Sequence, residues 1–264
     1  MAACLQAIAR QTVAPFEVIV VDNNSDDNSV AIARRFDFVQ VLSEPKQGVV
    51  YARNRGFNAA KGDIIGRIDA DTIVEANWVE TLAIMFEQND FDAVSGAVSY
   101  YDLPWRSFLG KLDLAFRHWI ADGMGQHVFL YGANMALRQS SWQKVRRSLC
   151  SEAGLHEDFD LAIHLAAVGA HVEFNRQLRA GVSLRRFNVR FGDYYEYVWL
   201  SPRTYTKHNL AARRMYPVVV LVTLSYFAIR LLYRCYDPLT DRLSIYNTLS
   251  GRPPARVNPA TFVD

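Results

Sequence analysis

Ile64-Ile65-Gly66-Arg67-Ile68-Asp69-Ala70-Asp71 is the stretch that decides how the chain is read. A short apolar run ends in two carboxylates separated by one small residue, the pattern of a buried strand that delivers acids into a cleft. Side chains alternate across an extended backbone, so Asp69 and Asp71 are expected on one side with Ala70 turned away. Such a pair can hold a divalent cation. A second reading of the same residues is a strand end followed by a helix cap, with Asp71 or Thr72 capping a segment from Val74 to Glu87.

Toward the N-terminus the order repeats. Val18-Ile19-Val20-Val21 is short and β-branched, as a parallel strand covered on both faces should be, and it runs into Asp22-Asn23-Asn24-Ser25-Asp26-Asp27-Asn28-Ser29. That polar turn can cap a helix over Val30 to Phe36. It also lies where open α/β sheets bind ligands, at the carboxyl end of a strand, where its acids and amides could accept from a nucleobase or ribose. Between the two acidic clusters, Gly48 to Gly56 reads as a turn and short helix, and Gly62-Asp63 as a stop before the next strand. Arg53 and Arg55 within it are either solvated helix charges or partners for a diphosphate.

The ordered set Val20-Val21-Asp22-Asn23-Asn24-Ser25, Ala52-Arg53-Asn54, Gly62-Asp63 and Asp69-Ala70-Asp71 resembles a family-2 glycosyltransferase of the GT-A type. Two later segments extend the resemblance. Gly132-Ala133-Asn134-Met135-Ala136-Leu137-Arg138 is similar to the family's acceptor-side strand, and His156-Glu157-Asp158-Phe159-Asp160-Leu161 to its Glu-Asp motif. The likeness covers about residues 1 to 186, with a nucleotide-sugar half to about residue 100, an acceptor half to 186, and a C-terminal helical segment over 187 to 264. It implies an α/β, Rossmann-like, mostly parallel nucleotide-binding sheet covered by helices, which the strand and helix alternation through about residue 100 also predicts.

By the same resemblance the chain would transfer a sugar, with inversion, from a nucleotide diphosphate donor to a sugar or lipid-linked acceptor. Asp71, with Asp69, would ligate Mg²⁺ or Mn²⁺. Asp69 would also lie near ribose, Asp22 would bind the base, and Arg53 would support base or phosphate. Asp158 would be the general base, with Glu157 orienting it, and Gly132 and Asn134 would shape the acceptor side. Two departures stand out. Relatives open with an apolar strand, whereas Met1 to Thr12 reads directly as the following helix, so the sheet is expected to show an open edge or gap. Many relatives also place a metal-binding histidine beyond the Glu-Asp helix, where this chain has Arg185 and Arg186, which could meet the diphosphate. The Gln-x-x-Arg-Trp motif of processive synthases is absent, so a single-addition enzyme of surface polysaccharide or glycolipid synthesis is expected. The absent strand keeps a non-catalytic nucleotide-sugar binder in view. A nucleotidyltransferase is the other alternative, although no Gly-rich phosphate loop is found near the start.

At 264 residues and half apolar, the chain can bury a substantial core. A net charge of +2 is too small to imply a nucleic-acid partner. Cys4, Cys150 and Cys235 are far apart in sequence and odd in number, which fits a reducing, cytoplasmic setting better than a disulfide framework. Phe108 to Ile120 has helical spacing, with Leu109, Leu112, Phe116 and Trp119 read as core. The Glu-Asp helix should stop at Gly169, with Leu161, Leu165 and Val168 as its buried edge. Tyr216 to Ile229 is apolar but shorter than the ~20 residues that cross a bilayer. Arg213, Arg214, Arg230 and Arg234 flank it with aromatic Tyr216, Tyr226 and Tyr233, a combination suited to the cytoplasmic face of a membrane; a buried helix that packs on the catalytic domain is the competing reading. The tail with Pro253, Pro254 and Pro259 reads as extended.

Overall fold

The apolar runs become strands and the segments between them become helices. The computed structural model describes residues 1–124, 130–237, 240 and 242–243, so the tail prolines lie outside the described residues. Its first half contains α1 (Ala2–Ala9), β1 (Val18–Asp22), α2 (Ser29–Ala33), β2 (Val39–Ser43), α3 (Val49–Ala59), β3 (Ile64–Arg67), β4 (Ile73–Val74), α4 (Trp78–Gln88) and β5 (Ala93–Tyr100). Then come α5 (Arg106–Met124), β6 (Met135–Arg138), α6 (Gln139–Val145), α7 (Glu157–Ala167), β7 (Val172–Val182), α8 (Phe191–Lys207) and α9 (Tyr216–Cys235).

The class is α/β, but the sheet is mixed rather than mostly parallel. β1 and β2 pair in parallel, from Val18 opposite Val39 to Asp22 opposite Ser43. A five-stranded sheet has the order β3-β6-β5-β7-β4, and β6 runs antiparallel to both of its neighbours. Alternation along the sequence does not fix the direction in which a later strand such as β6 re-enters a sheet, which is why the sequence pattern missed this. Among the described residues β1 pairs only with β2, and β3 only with β6, so both keep an open edge as expected. The two sheets are tied at their start: the Glu17 carboxylate accepts from the backbone N–H of Lys61 at 2.5 Å and of Gly62 at 3.3 Å.

Contacts divide the chain into two units. The first comprises Met1–Ala97, His127–Ala153 and Glu157–Ala180; the second comprises Val98–Gln126, Gly154–His156 and Gly181–Asp264. This differs from a linear boundary at residue 186, because the α5 segment groups with the C-terminal helices. The core of the first unit gathers Phe57, Met135, Leu137, Trp142, Leu161 and Leu165. Each such side chain contributes roughly 1.5–3 kcal/mol on leaving water. Phe57 meets Trp142 edge to face at 5.1 Å, and the indole N–H donates to Asn58 at 3.0 Å. Helix α7 therefore sits firmly on its Leu161 and Leu165 side; Val168, expected on the same edge, is 48% exposed. Gly169, at φ +72°, ends that helix in the left-handed conformation that glycine adopts without penalty.

In the second unit α8 and α9 pack through Tyr194, Val198, Val219 and Tyr226, with the Tyr194 and Tyr226 rings 4.7 Å apart. Tyr226 donates to the Val189 carbonyl at 2.7 Å, and Tyr194 to that of Val222 at 3.2 Å. The opposite face of α9 is largely exposed: Val220, Leu224, Phe227 and Leu231 recur at helical spacing and are all exposed, with the Phe227 ring also stacked on Phe191 of α8 at 5.2 Å. The α5 stripe is likewise not core throughout, since Leu112 is 57% and Trp119 50% exposed. Counting the preceding 3₁₀ turn, Ala212–Cys235 forms 24 helical residues, which satisfies a bilayer crossing by length and composition, as the shorter uninterrupted apolar run did not.

Candidate functional site

Arg67, the last residue of β3, is the centre of the polar cluster in the first unit. Register places it opposite Met135 of β6, beside the turn that carries Gly132. The α7 start supplies the acids. The Arg67 guanidinium pairs with the Asp158 carboxylate, lies 3.2 Å from that of Glu157, and reaches Asp69 at 4.0 Å. Burial alone would lower the Arg67 pKa, but Asp158, Glu157 and Asp69 outweigh it and push it above the ordinary arginine value. Arg67 is therefore a permanent cation.

Asp158 is almost completely buried and uses both oxygens. One is paired with Arg67, and the other accepts the Gly132 N–H at 2.9 Å. Each carboxylate oxygen has a second lone pair, so the group keeps acceptor capacity. Gly132 is dictated by close approach: a Cβ there would lie 2.6 Å from the second Asp158 oxygen and against the Arg67 guanidinium. Arg53 stands behind the acids. Its guanidinium donates to the Glu157 carbonyl at 2.7 Å and to the Asn54 side chain at 3.0 and 3.1 Å. Burial, then repulsion from Arg67, hold its pKa down to about 10, still charged at neutral pH. Arg53 thus positions the Glu157 turn from below, while Arg55 is exposed.

The Asp69 and Asp71 pair lies differently from expectation. β3 ends at Arg67, and the Thr72 N–H donates to the Asp69 carbonyl at 2.9 Å, so the acids occupy a tight turn rather than one side of a strand. The capping reading is also corrected: α4 begins at Trp78 after the short β4, with Asn77 before it. The Asp69 side chain is about half exposed, yet its pKa is raised, first by desolvation and then by Asp158, Asp71 and Glu157, against the pull of Arg67. Beneath the turn, the buried Cys4 thiol, pushed by burial up to about 12, faces the Asp69 carbonyl at 3.7 Å.

Asp22 ends β1 and accepts the Ser25 N–H at 3.1 Å. Its neighbour Asn23 locks the loop before α3, donating to the carbonyls of Glu44 at 2.8 Å and Lys46 at 2.7 Å and accepting from Gly48 N–H at 2.7 Å. Asn134 is a correction. It is fully buried, donates to the Ala97 and Leu178 carbonyls, and accepts from the Trp78 indole, so it is a strut between strands rather than a wall for an acceptor. In the second unit Arg186 lies over the Tyr197 ring at 3.9 Å, and Arg185 is exposed. The residue that sequence reasoning missed is Arg67. Its signal was a charge inside an otherwise apolar strand that ends in acids.

The sequence pattern described as "Glycosyl transferase family 2" matches residues 1–146. Among curated relatives, "Glycosyltransferase GlyG" of Streptococcus pneumoniae is 39% identical over 104 residues, 38% of this chain and 35% of that one. "Glucosyl-dolichyl phosphate glucuronosyltransferase" of Haloferax volcanii is 24% identical over 209 residues, 71% of this chain and 65% of that one. The chain thus spans between about a third and two thirds of those relatives' lengths. Among solved structures, the mannosyltransferase PcManGT of Pyrobaculum calidifontis, in complex with GDP-Man and Mn²⁺, superposes with a TM-score of 0.62 at 18% identity. That match covers 86% of this chain and 69% of the other, and it makes the fold that of a GT-A glycosyltransferase.

Proposed function

Because the chain belongs to glycosyl transferase family 2, we propose that it moves a sugar from a nucleotide diphosphate donor to an acceptor hydroxyl, with inversion and one unit at a time. The observation that carries the reading is the crowding of acids around Asp69. Its carboxyl pKa is raised by burial and by Asp158, Asp71 and Glu157 against the pull of Arg67, a crowding that a divalent cation would relieve. Asp71 and Asp69 would hold Mg²⁺ or Mn²⁺, which when bound neutralises charge on a diphosphate.

The chain's own groups do the rest. Asp158, paired with Arg67 and fixed by the Gly132 N–H, takes the proton of the attacking hydroxyl. Glu157, steadied by Arg53 through its carbonyl and by Arg67 through its carboxylate, orients that acceptor. Asp22, at the carboxyl end of β1, serves the donor base. The exposed face of α9 suits the surface of a membrane, where a lipid-linked acceptor would be presented: its other face already packs on α8, so the helix lies in the interface rather than crossing it.

A second reading is a donor-binding protein without turnover. One assay separates the two. Purified protein is offered a panel of nucleotide diphosphate sugars with and without Mn²⁺ and candidate acceptors. Metal-dependent release of nucleoside diphosphate is expected. Release of pyrophosphate would point instead to nucleotidyl transfer, and donor binding without any release to the second reading.

A further inference from the structure

A second group of metal-type donors lies in the first unit and plays no part in the chemistry above. Cys150 follows α6, and Asp160 and His164 lie on α7. The Cys150 sulfur, an Asp160 carboxylate oxygen and a His164 ring nitrogen all lie within 4.8 Å of one another. Asp160 and His164 are four apart and share a helix face, with the His164 Nε2 3.5 Å from the Asp160 carboxylate. Asp160 is buried to 1% exposure, and its other oxygen accepts the Cys150 N–H at 3.0 Å. Successive residues turn about 100° around a helix, so Asp160 points about 200° away from Asp158. The cluster therefore lies on a different face of α7 from Asp158.

We propose that Cys150, Asp160 and His164 bind a Zn²⁺ ion that staples the loop after α6 to the first turns of α7. The donor set decides the metal. Thiolate, imidazole and carboxylate together are ordinary zinc ligands, whereas Mg²⁺ and Mn²⁺ favour oxygen. Zinc bonds of about 2.0–2.3 Å in a tetrahedron require donors roughly 3.3–3.8 Å apart, so the group closes onto an ion with a contraction of at most about 1–1.5 Å. Zinc binding deprotonates the Cys150 thiol and releases that proton to solvent. The ion offsets the buried Asp160 charge and fixes the segment that leads into Glu157 and Asp158.

The test uses the full chain and needs no turnover. Titration with Co²⁺, a spectroscopic stand-in for Zn²⁺, should give the visible bands of a tetrahedral site and a near-ultraviolet thiolate-to-cobalt band. Zn²⁺ should displace the cobalt, and excess Mg²⁺ should not. Cys150→Ser should lose the thiolate band and His164→Ala should weaken binding by about tenfold or more, while Cys4→Ser keeps both signals. As a readout independent of whether these variants fold, Zn²⁺ should protect Cys150 of the unmodified protein from alkylation, followed by mass spectrometry of its peptide. A thiolate band that survives in Cys150→Ser, equal cobalt affinity in His164→Ala, or alkylation of Cys150 at the same rate with and without Zn²⁺ would each overturn the assignment.

Discussion

Arg67 joins three acids that are buried or crowded together, so its removal should be felt in stability as well as in activity. Arg67→Met removes the guanidinium that Asp158 and Glu157 share, and breaking a buried pair in this way costs about 3–5 kcal/mol. The deficit should depend on pH with a definite sign. Without the guanidinium, burial raises the folded-state pKa of these carboxyl groups above their unfolded values, so the folded state takes up protons more readily. The loss is therefore full at neutral pH and shrinks as pH falls through the raised values. Denaturant unfolding of both proteins between pH 7 and about pH 4.5 measures it, and a deficit that does not change with pH would contradict the pairing. Asp158→Asn asks a different question, because it keeps shape and loses the ability to accept a proton. Donor affinity should hold while the transfer rate falls by ~10² to 10⁴-fold; a rate within about threefold of the parent would move the base to Glu157. For the cation, Asp71→Ala should remove the gain in donor affinity that Mn²⁺ gives. In the parent that gain should fade at a higher pH than an ordinary aspartate near ~4 would predict, since Asp69 holds its proton longer. Calorimetry with metal and with chelator reads both effects.

At the scale of elements, the parts legible in the sequence were those set by periodicity and by punctuation. The run Val18–Val21, the helix after Gly48 and the stop at Gly169 all fall where residue type dictates local conformation. What escaped depended on partners distant in sequence. Asn134 looks like a substrate residue until Ala97, Leu178 and Trp78 are found to occupy its side chain. Arg67 looks like a charge out of place until α7 delivers its acids from 90 residues away. Helical spacing announced the α5 stripe but could not say whether it faced protein or solvent, and Leu112 and Trp119 face solvent. The same ambiguity attached to α9, whose inner and outer faces are both apolar. Its exposed row of Val220, Leu224, Phe227 and Leu231 gives a direct expectation: the protein should co-sediment with anionic liposomes, and Leu224→Glu combined with Phe227→Glu should abolish this while leaving donor binding unchanged. Recovery of the unmodified protein in the supernatant would assign that row to another partner.

At the scale of the whole chain, the groups proposed for donor binding and for transfer rest on different hydrogen-bonded frameworks. Asp22 belongs to the pair β1 and β2, while Arg67 and the strand that precedes Asp69 belong to the five-stranded sheet. Every residue of β1 is partly accessible, whereas β5 and β6 are largely buried, so the smaller framework has less to lose on opening. Glu17 is a peg between them: one carboxylate, holding two amides just before β3. Amide exchange with deuterium should accordingly run in two tiers. The central amides of β1, those of Ile19, Val20 and Val21, should exchange well before those of Ala136 and Leu137 in β6, and Glu17→Gln should quicken the first group without touching the second. Donor nucleotide, by bridging Asp22 to the acids beyond β3, would then slow the first group and weld two independently breathing parts into one.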